Sequence, residues 1–204
     1  TSQEGAIIVN TEMMKENNLP MPTCLKDLAK PIYKGFLSVV DIEGSSTAWL
    51  MIQALVSAYG EDGAKEVLKG IYDNAGDHLE SGSGPIKKVR AGEVAIGFGL
   101  RHQAVADKNS GLPIDFVDPT EGNFSLTESV AVIDKGDKTN AKAMDMAECI
   151  IKKGRPELIK TYPNPLYDGE TADKANESAY PKKFSEKLTV DLLEKHKKLS
   201  EECK

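Results

Sequence analysis

Long apolar runs are missing from this chain of 204 residues. No stretch of about 18 apolar residues occurs, so no segment reads as a membrane-spanning helix, and the first residues lack the charged-then-apolar layout of a signal peptide. An excess of positive charge is missing too. Lys and Arg number 26 against 32 Asp and Glu, a formal net charge of -6. That balance lacks the basic face with which nucleic-acid binders hold phosphates, so no nucleic acid is expected as a partner. Cysteine is scarce: Cys24, Cys149 and Cys203 are widely spaced and form no C-x-x-C signature of zinc or redox work. Cys149 lies on an apolar helical face, where a buried, inert thiol is expected.

Catalytic signatures are also missing. There is no G-x-S-x-G elbow, no H-E-x-x-H and no P-loop, and His78, His102 and His196 lack the spacing of a metal set. His196 falls among charged residues of a helical segment and reads as solvated. Cys24 has no histidine near it in sequence to activate it. These absences imply no catalytic residue, no cofactor and no resident metal.

What is present suits a globular fold. A hydrophobic fraction of 40% with 28% charged residues supports one compact domain, or a domain with a helical appendage. The chain starts at Thr1 without Met and runs almost at once into Ala6-Ile7-Ile8-Val9, which reads as a strand that follows something. It is therefore expected to be a piece of a longer chain, with any secretion signal upstream.

Runs rich in β-branched residues alternate with segments of helical period, the pattern of helices covering a largely parallel sheet, so the fold class is α/β. Strands are expected at Ala6–Asn10, Phe36–Asp41, Val94–Phe98, Ile114–Val117 and Ser129–Asp134, with a weaker one near His78–Glu80. Thr47–Tyr59 carries almost no charge and reads as a helix buried on most sides. Glu61–Asn74 places Ala64, Val67, Leu68 and Ile71 on one stripe, as a half-exposed helix does. Ala141–Ile151 repeats that layout through Ala143, Met144, Ala147 and Ile151, with Gly154 as its stop signal. Pro163, Pro165, Gly169 and Pro181 then punctuate a polar stretch that reads as an ordered loop, and Phe184–Leu199 returns to helical spacing.

Three strand-to-helix junctions carry small polar residues and glycine. At Asp41–Thr47, a helix start offers unpartnered amides and partial positive charge to an oxyanion, with Ser45, Ser46 and Thr47 adding hydroxyls; Ser45 or Ser46 acting only as an N-cap is the plain alternative. At Ser81-Gly82-Ser83-Gly84-Pro85, glycines permit close backbone approach and Pro85 fits a first helical turn, followed by Lys87, Lys88 and Arg90. At Gly97–His102, Arg101 offers a planar fork suited to carboxylate or phosphonate, with His102 beside it. Such junctions converge at the carboxyl ends of strands in open α/β sheets. A further loop brings Asp118 and Glu121 to a strand end, where Glu121 would meet an ammonium group; turn chemistry is the plain alternative.

Three stretches, NNLPMPTCLKDLAKPIYKGFLSVVDIEGSSTAW, SGSGPIKKVRAGEVAIGFGLRHQAVADKNSGLPIDFVDPTEGN and TESVAVIDKG, resemble type 2 periplasmic binding proteins. The resemblance is to the ferric- and 2-aminoethylphosphonate-type solute-binding proteins of ABC importers, and it covers about Glu4–Lys160. It implies a three-layer lobe with a mostly parallel central sheet flanked by helices and with C-terminal helices. Residues 1–160 would be the ligand-binding lobe with its hinge strands, and 161–204 a C-terminal loop and helix packed on it. Such proteins are bilobed, so the resemblance implies an N-terminal lobe missing from this sequence, with Ala6–Asn10 and Ser129–Asp134 near the two crossovers.

The resemblance further implies no enzyme but an extracytoplasmic protein, periplasmic or a cell-surface lipoprotein, whose partners are a small-molecule solute and an ABC transporter permease. Ferric-binding relatives place adjacent tyrosines where this chain has Gly99-Leu100-Arg101-His102, which favours an anionic or zwitterionic, phosphonate-like solute. Ser45, Ser46, Thr47, Ser81, Ser83, Arg101, His102 and Glu121 are the candidate ligand-binding residues. The alternatives are a binding protein for ferric iron or another metal complex, using His102 and Glu121, and an effector-sensing lobe of a LysR-type regulator. An enzyme on this architecture, as in porphobilinogen deaminase, has no residue here in its favour.

Overall fold

Ala6, Ile7, Ile8 and Val9 are fully excluded from solvent, and a β-branched run buried on both faces belongs in the middle of a sheet. The computed structural model describes residues 1–171 and 173–204, and there this run forms the end of β1 (Ser2–Asn10). β2 (Leu37–Val40) lies parallel to β3 (Ala75–Leu79) and to β4 (Ile96–Leu100). β1 runs antiparallel to β4, to β5 (Ile114–Val117) and to β6 (Asn123–Thr127), and β6 is parallel to β7 (Pro181–Lys183). The order is β3-β2-β4-β1-β6-β7, with β5 also paired to β1.

The α/β class with a central sheet flanked by helices is thus the observed one. Parallel pairing is concentrated in β3-β2-β4, where each successive strand returns through a helix, α2 (Ser46–Asn74) and then α3 (Gly84–Ala91). β1 supplies the antiparallel ladders, because the chain enters the sheet on it in the opposite sense to β4.

The two helices expected at 47–59 and 61–74 are one element, α2, broken at Gly60 with φ 68° and ψ 178°, a left-handed φ that glycine adopts without penalty. Trp49 to Ile52, Ala54 and Leu55 are buried almost all round, whereas the second half buries only a stripe through Ala64, Val67, Leu68 and Ile71. Those side chains join Ile7, Val9, Leu37, Val39 and Phe98 in one core. α1 (Thr11–Glu16) is capped by Asn10, and α4 (Arg101–Asn109) covers the other face of β1.

Several expectations need correction. Ser129–Asp134 forms no strand: its apolar alternation finds no neighbouring strand to bond among the described residues, and Val130 and Ile133 stay 40% and 74% exposed. The last strand of that region is instead β6, which borrows its hydrogen bonds from β1 and β7. Gly154 stops nothing. It is not among the positive-φ glycines, so α5 (Ala143–Thr161) runs through it and past Pro156, ending two residues before Pro163. The stripe on α5 is covered at Ala147 but open at Met144 and Ile151, and Cys149 is exposed rather than buried. The last helix, α6 (Val190–Glu201), starts later than Phe184, whose ring packs edge-on against Trp49 at 5.2 Å. His196 is 1% exposed rather than solvated, because its Nδ1 accepts from Trp49 Nε1 at 2.7 Å within the α2–α6 contact.

Candidate functional site

Because β2, β3 and β4 run in one sense, their carboxyl ends share an edge, and the loops leaving β2 and β3 meet there. Asp41 builds the first loop. Its carbonyl accepts from the Gly44 and Ser45 amides at 3.1 and 3.0 Å, and its Oδ1 accepts from the Glu43 amide at 2.9 Å. Although partial burial pushes this carboxyl upward, the Lys204 ammonium and the Glu43 amide outweigh it and hold the pKa below the usual carboxylate value. Ser45 is extended, at φ -155° and ψ 137°, and its Oγ accepts from the Thr47 amide at 3.3 Å. It is therefore the N-cap of α2, and Ser46 and Thr47 are the first helical residues.

The second loop lies directly against the first. A methyl group built on Gly82 would fall 2.2 Å from Thr47 Oγ1 and 2.9 Å from Ser45 Oγ, and one on Gly44 would fall 2.6 Å from the Glu80 carbonyl oxygen. These two glycines are what allow the loops to touch. Ser81 Oγ and Ser83 Oγ are 3.3 Å apart, and Pro85 occupies the first turn of α3, as its sequence position indicates. Among the described residues no acceptor is found for the Ser46, Gly82 or Ser83 amide. Gly99 of β4 closes the back of this cradle, a methyl group there lying 4.0 Å from the Gly82 carbonyl oxygen.

The structure thus brings Ser45, Ser46, Thr47, Ser81 and Ser83 together, and it directs the other three candidates elsewhere. Arg101 is corrected to a structural role: it is 4% exposed, its fork closes on Asp118 with Nε–Oδ1 2.8 Å and Nη2–Oδ2 3.2 Å, and it donates to the Ala175 and Glu177 carbonyls. Its guanidinium also stacks 4.6 Å from the Phe116 ring centre. A fork spent on these acceptors has little left for a ligand.

Glu121 is corrected likewise. It is 3% exposed and accepts from the Leu25 and Lys26 amides at 2.9 and 3.0 Å and from Tyr59 Oη at 2.8 Å. That caps the short 3-10 helix Leu25–Ala29 instead of meeting an ammonium. Burial and the Glu121 carboxylate push the Tyr59 phenol well above its ordinary range. His102 is 9% exposed, turns toward Tyr162 with ring centres 5.1 Å apart, and is pushed below the ordinary histidine pKa by burial.

Lys88 pairs with Asp77 and Arg90 with Asp107, so two of the three cations after the second loop are spent on acids of the fold, while Lys87 is exposed. Sequence reasoning missed the cations that do reach the first loop, Lys197 and Lys204, which lie 3.1 Å from Glu43 and 2.7 Å from Asp41. No local signal could have found them, since the pairs span most of the chain. It also missed Glu4, on β1 at the same edge as Arg101 and Asp118, whose pKa burial pushes up.

A central sheet flanked by helices, with glycine-lined helix starts at its strand ends, is the arrangement of a type 2 periplasmic binding fold. The chain belongs to the bacterial extracellular solute-binding protein family, whose pattern matches residues 5–185. An uncharacterized protein of Haemophilus influenzae is 30% identical over 151 residues, 74% of this chain and 43% of that one. The periplasmic binding protein AfuA of Actinobacillus pleuropneumoniae, solved with fructose-6-phosphate bound, superposes with a TM-score of 0.77 at 22% identity, over 98% of this chain and 65% of that one. Iron-bound HitA of Pseudomonas aeruginosa superposes at 0.70 with 18% identity, over 100% and 67%. The chain therefore spans less than half of the Haemophilus relative and about two thirds of the two solved structures.

Proposed function

We propose that this chain is part of an extracytoplasmic solute-binding protein of an ABC importer, and that Ser45, Ser46, Thr47, Ser81 and Ser83 receive the oxyanion of a small phosphate- or phosphonate-bearing solute. The protein captures its solute and delivers it to a permease; it makes and breaks no bond. The observation that carries this reading is the contact of two loops at the starts of α2 and α3 across Gly82, with the Ser46, Gly82 and Ser83 amides left to donate. Neutral donors at helix starts hold an oxyanion without a basic side chain. AfuA, whose fold this chain shares, was solved with a sugar phosphate. With Glu121 withdrawn as an ammonium partner, the zwitterionic form of the solute loses its support, and the simple anion is favoured.

The N-terminal lobe would supply the facing half of the site and cover an apolar face that this chain leaves open. Val130, Ile133, Met144, Met146, Ile150 and Ile151 are all at least 40% exposed, and some of them line a groove of about 530 Å³ between 127–130 and α5. Calorimetric titration with inorganic phosphate, a hexose phosphate and 2-aminoethylphosphonate tests the reading. The two-lobed protein is expected to bind at least one of them at micromolar concentration, and this chain alone to bind far more weakly, since half the contacts and the exclusion of water are missing. Failure of the two-lobed protein to bind any of them sinks the anion assignment.

A further inference from the structure

Two carboxylates stand in the loop that would receive an anion, Asp41 and Glu43, and both are answered from one distant element. Lys204 Nζ donates to Asp41 Oδ2 at 2.7 Å, and Lys197 Nζ lies 3.1 Å from Glu43 Oε2. The same lysines also touch acids on α6, Glu201 at 3.0 Å and Glu194 at 3.2 Å. α6 bridges the two halves of α2 on either side of Gly60. Trp49, in the first turn of α2, donates to His196, and Tyr72, in the last turn, shares a hydrogen bond of 2.7 Å with Ser200. Leu192, His196, Leu199 and Ser200 are buried in that contact. The position of α6 is thus set by packing, and its two lysines arrive at the loop as a consequence.

We infer that α6 and the turn after it are a positioning part of the cradle, Lys197 and Lys204 holding the Asp41–Glu43 loop in place and cancelling its negative charge. The inference rests on the reading of that cradle as an oxyanion receiver. Asp41 uses both carboxylate oxygens and its carbonyl at once, toward Lys204, the Glu43 amide and the Gly44 and Ser45 amides. Without the ammonium, one of these three anchors is gone and an uncompensated carboxylate stands within a few residues of the donating amides. Like charge at that distance opposes an anion. His78 also faces Asp41, and burial keeps it toward the neutral form, so it does not replace the lysine.

The test separates the clamp from the ligand. Amide hydrogen exchange of Glu43–Ala48 is measured in the full chain for Lys197→Gln/Lys204→Gln and for Lys195→Gln, which removes the ion pair to Glu61 elsewhere on the same helix. The double variant is expected to exchange about two- to fivefold faster in this loop, with β1 unchanged, and Lys204→Arg to restore most of the protection. Unchanged loop exchange in the double variant, or an equal rise in Lys195→Gln, overturns the clamp. Inorganic phosphate is then added to the two-lobed protein. Protection of the Ser46, Gly82 and Ser83 amides in the parent and its loss in the double variant supports the electrostatic part, and equal protection in both overturns it. If phosphate protects neither protein, the anion reading of the cradle fails, while the exchange result still decides the clamp.

Discussion

Arg101 and Asp118 face each other as a two-point pair, Nε to Oδ1 at 2.8 Å and Nη2 to Oδ2 at 3.2 Å, with 5% and 11% of their side chains exposed. Asp118 accepts besides from Asn123 Nδ2 at 2.9 Å and from the Ala179 amide at 3.0 Å. The pair therefore joins α4, the end of β5 and the segment before β7. Removing one partner leaves a buried charge unanswered, so Arg101→Ala is expected to cost about 3–5 kcal/mol of stability. Arg101→Lys is expected to recover only part of it, since an ammonium cannot match the fork. Urea unfolding followed by circular dichroism checks this; a loss below about 1 kcal/mol for Arg101→Ala would return Arg101 to the list of ligand candidates.

Glu121 gives a second stability test. Three donors converge on its carboxylate, and hydrogen bonds to a charged group contribute about 1.5–3 kcal/mol each before relaxation. Glu121→Gln keeps the volume and one acceptor, so it is expected to lose about 2 kcal/mol and to loosen Leu25–Ala29 locally. The absorbance titration of the tyrosines should show one phenol, Tyr59, shifting back toward the ordinary range. A variant as stable as the parent would show that the cap carries little.

The parts of the fold that were legible in sequence are those fixed by local chemistry. β1 and β2 are dense in β-branched residues, and α2 shows its change from all-round burial to a single stripe on either side of Gly60. The cradle was legible because glycine, serine and a helix start leave a local signature. Arg101, Glu121 and His196 were misread because their partners, Asp118, the Leu25 amide and Trp49, are remote in sequence. Ser129–Asp134 was misread for a related reason. Its alternation is that of a strand, but a strand exists only where a neighbour accepts its hydrogen bonds, and no described strand pairs with it.

Gly82 is the position where a single methyl group tests the cradle. At 2.2 Å from Thr47 Oγ1, a Cβ forces the second loop away from the start of α2. Gly82→Ala is expected to keep the fold, because the clash is at a loop surface, and to abolish oxyanion binding by the two-lobed protein. Gly76→Ala, whose Cβ meets nothing within 4 Å, is the control. Unchanged affinity in Gly82→Ala would mean that the loop contact has no bearing on the ligand.

The thiols provide a check on the exposed helix. Cys149 is exposed, Cys24 is intermediate and Cys203 is buried, and burial pushes the Cys24 and Cys203 thiols up. Reaction with a disulfide reagent under native conditions is therefore expected first at Cys149, then at Cys24 and last at Cys203, since thiolate fraction and access set the rate. In the two-lobed protein Cys149 should slow down if the second lobe covers the face of α5 that carries it. Peptide mapping of the labelled sites gives the order, and first reaction at Cys203 would contradict the packing of α6.

Acid sensitivity follows from the histidines. His78, His102 and His196 are each held by burial below the ordinary pKa of 6.5, so the folded state resists the proton that the unfolded chain accepts. As pH falls through about 6.5, the unfolded state binds more protons than the folded one, and stability must fall with it. Their contribution is fully present above that value and is lost progressively down to the depressed folded values. Asp41, whose pKa is lowered, acts in the same direction only further down, below the ordinary carboxylate range. The urea midpoint is thus expected to be flat from about pH 8 to 7 and to drop between about pH 6.5 and 5.5. His196→Asn keeps an acceptor for Trp49 without a titrating ring, and it should remove part of that slope. A midpoint that stays level through this window, or a full slope retained in His196→Asn, would show that the α2–α6 contact tolerates a charged imidazole.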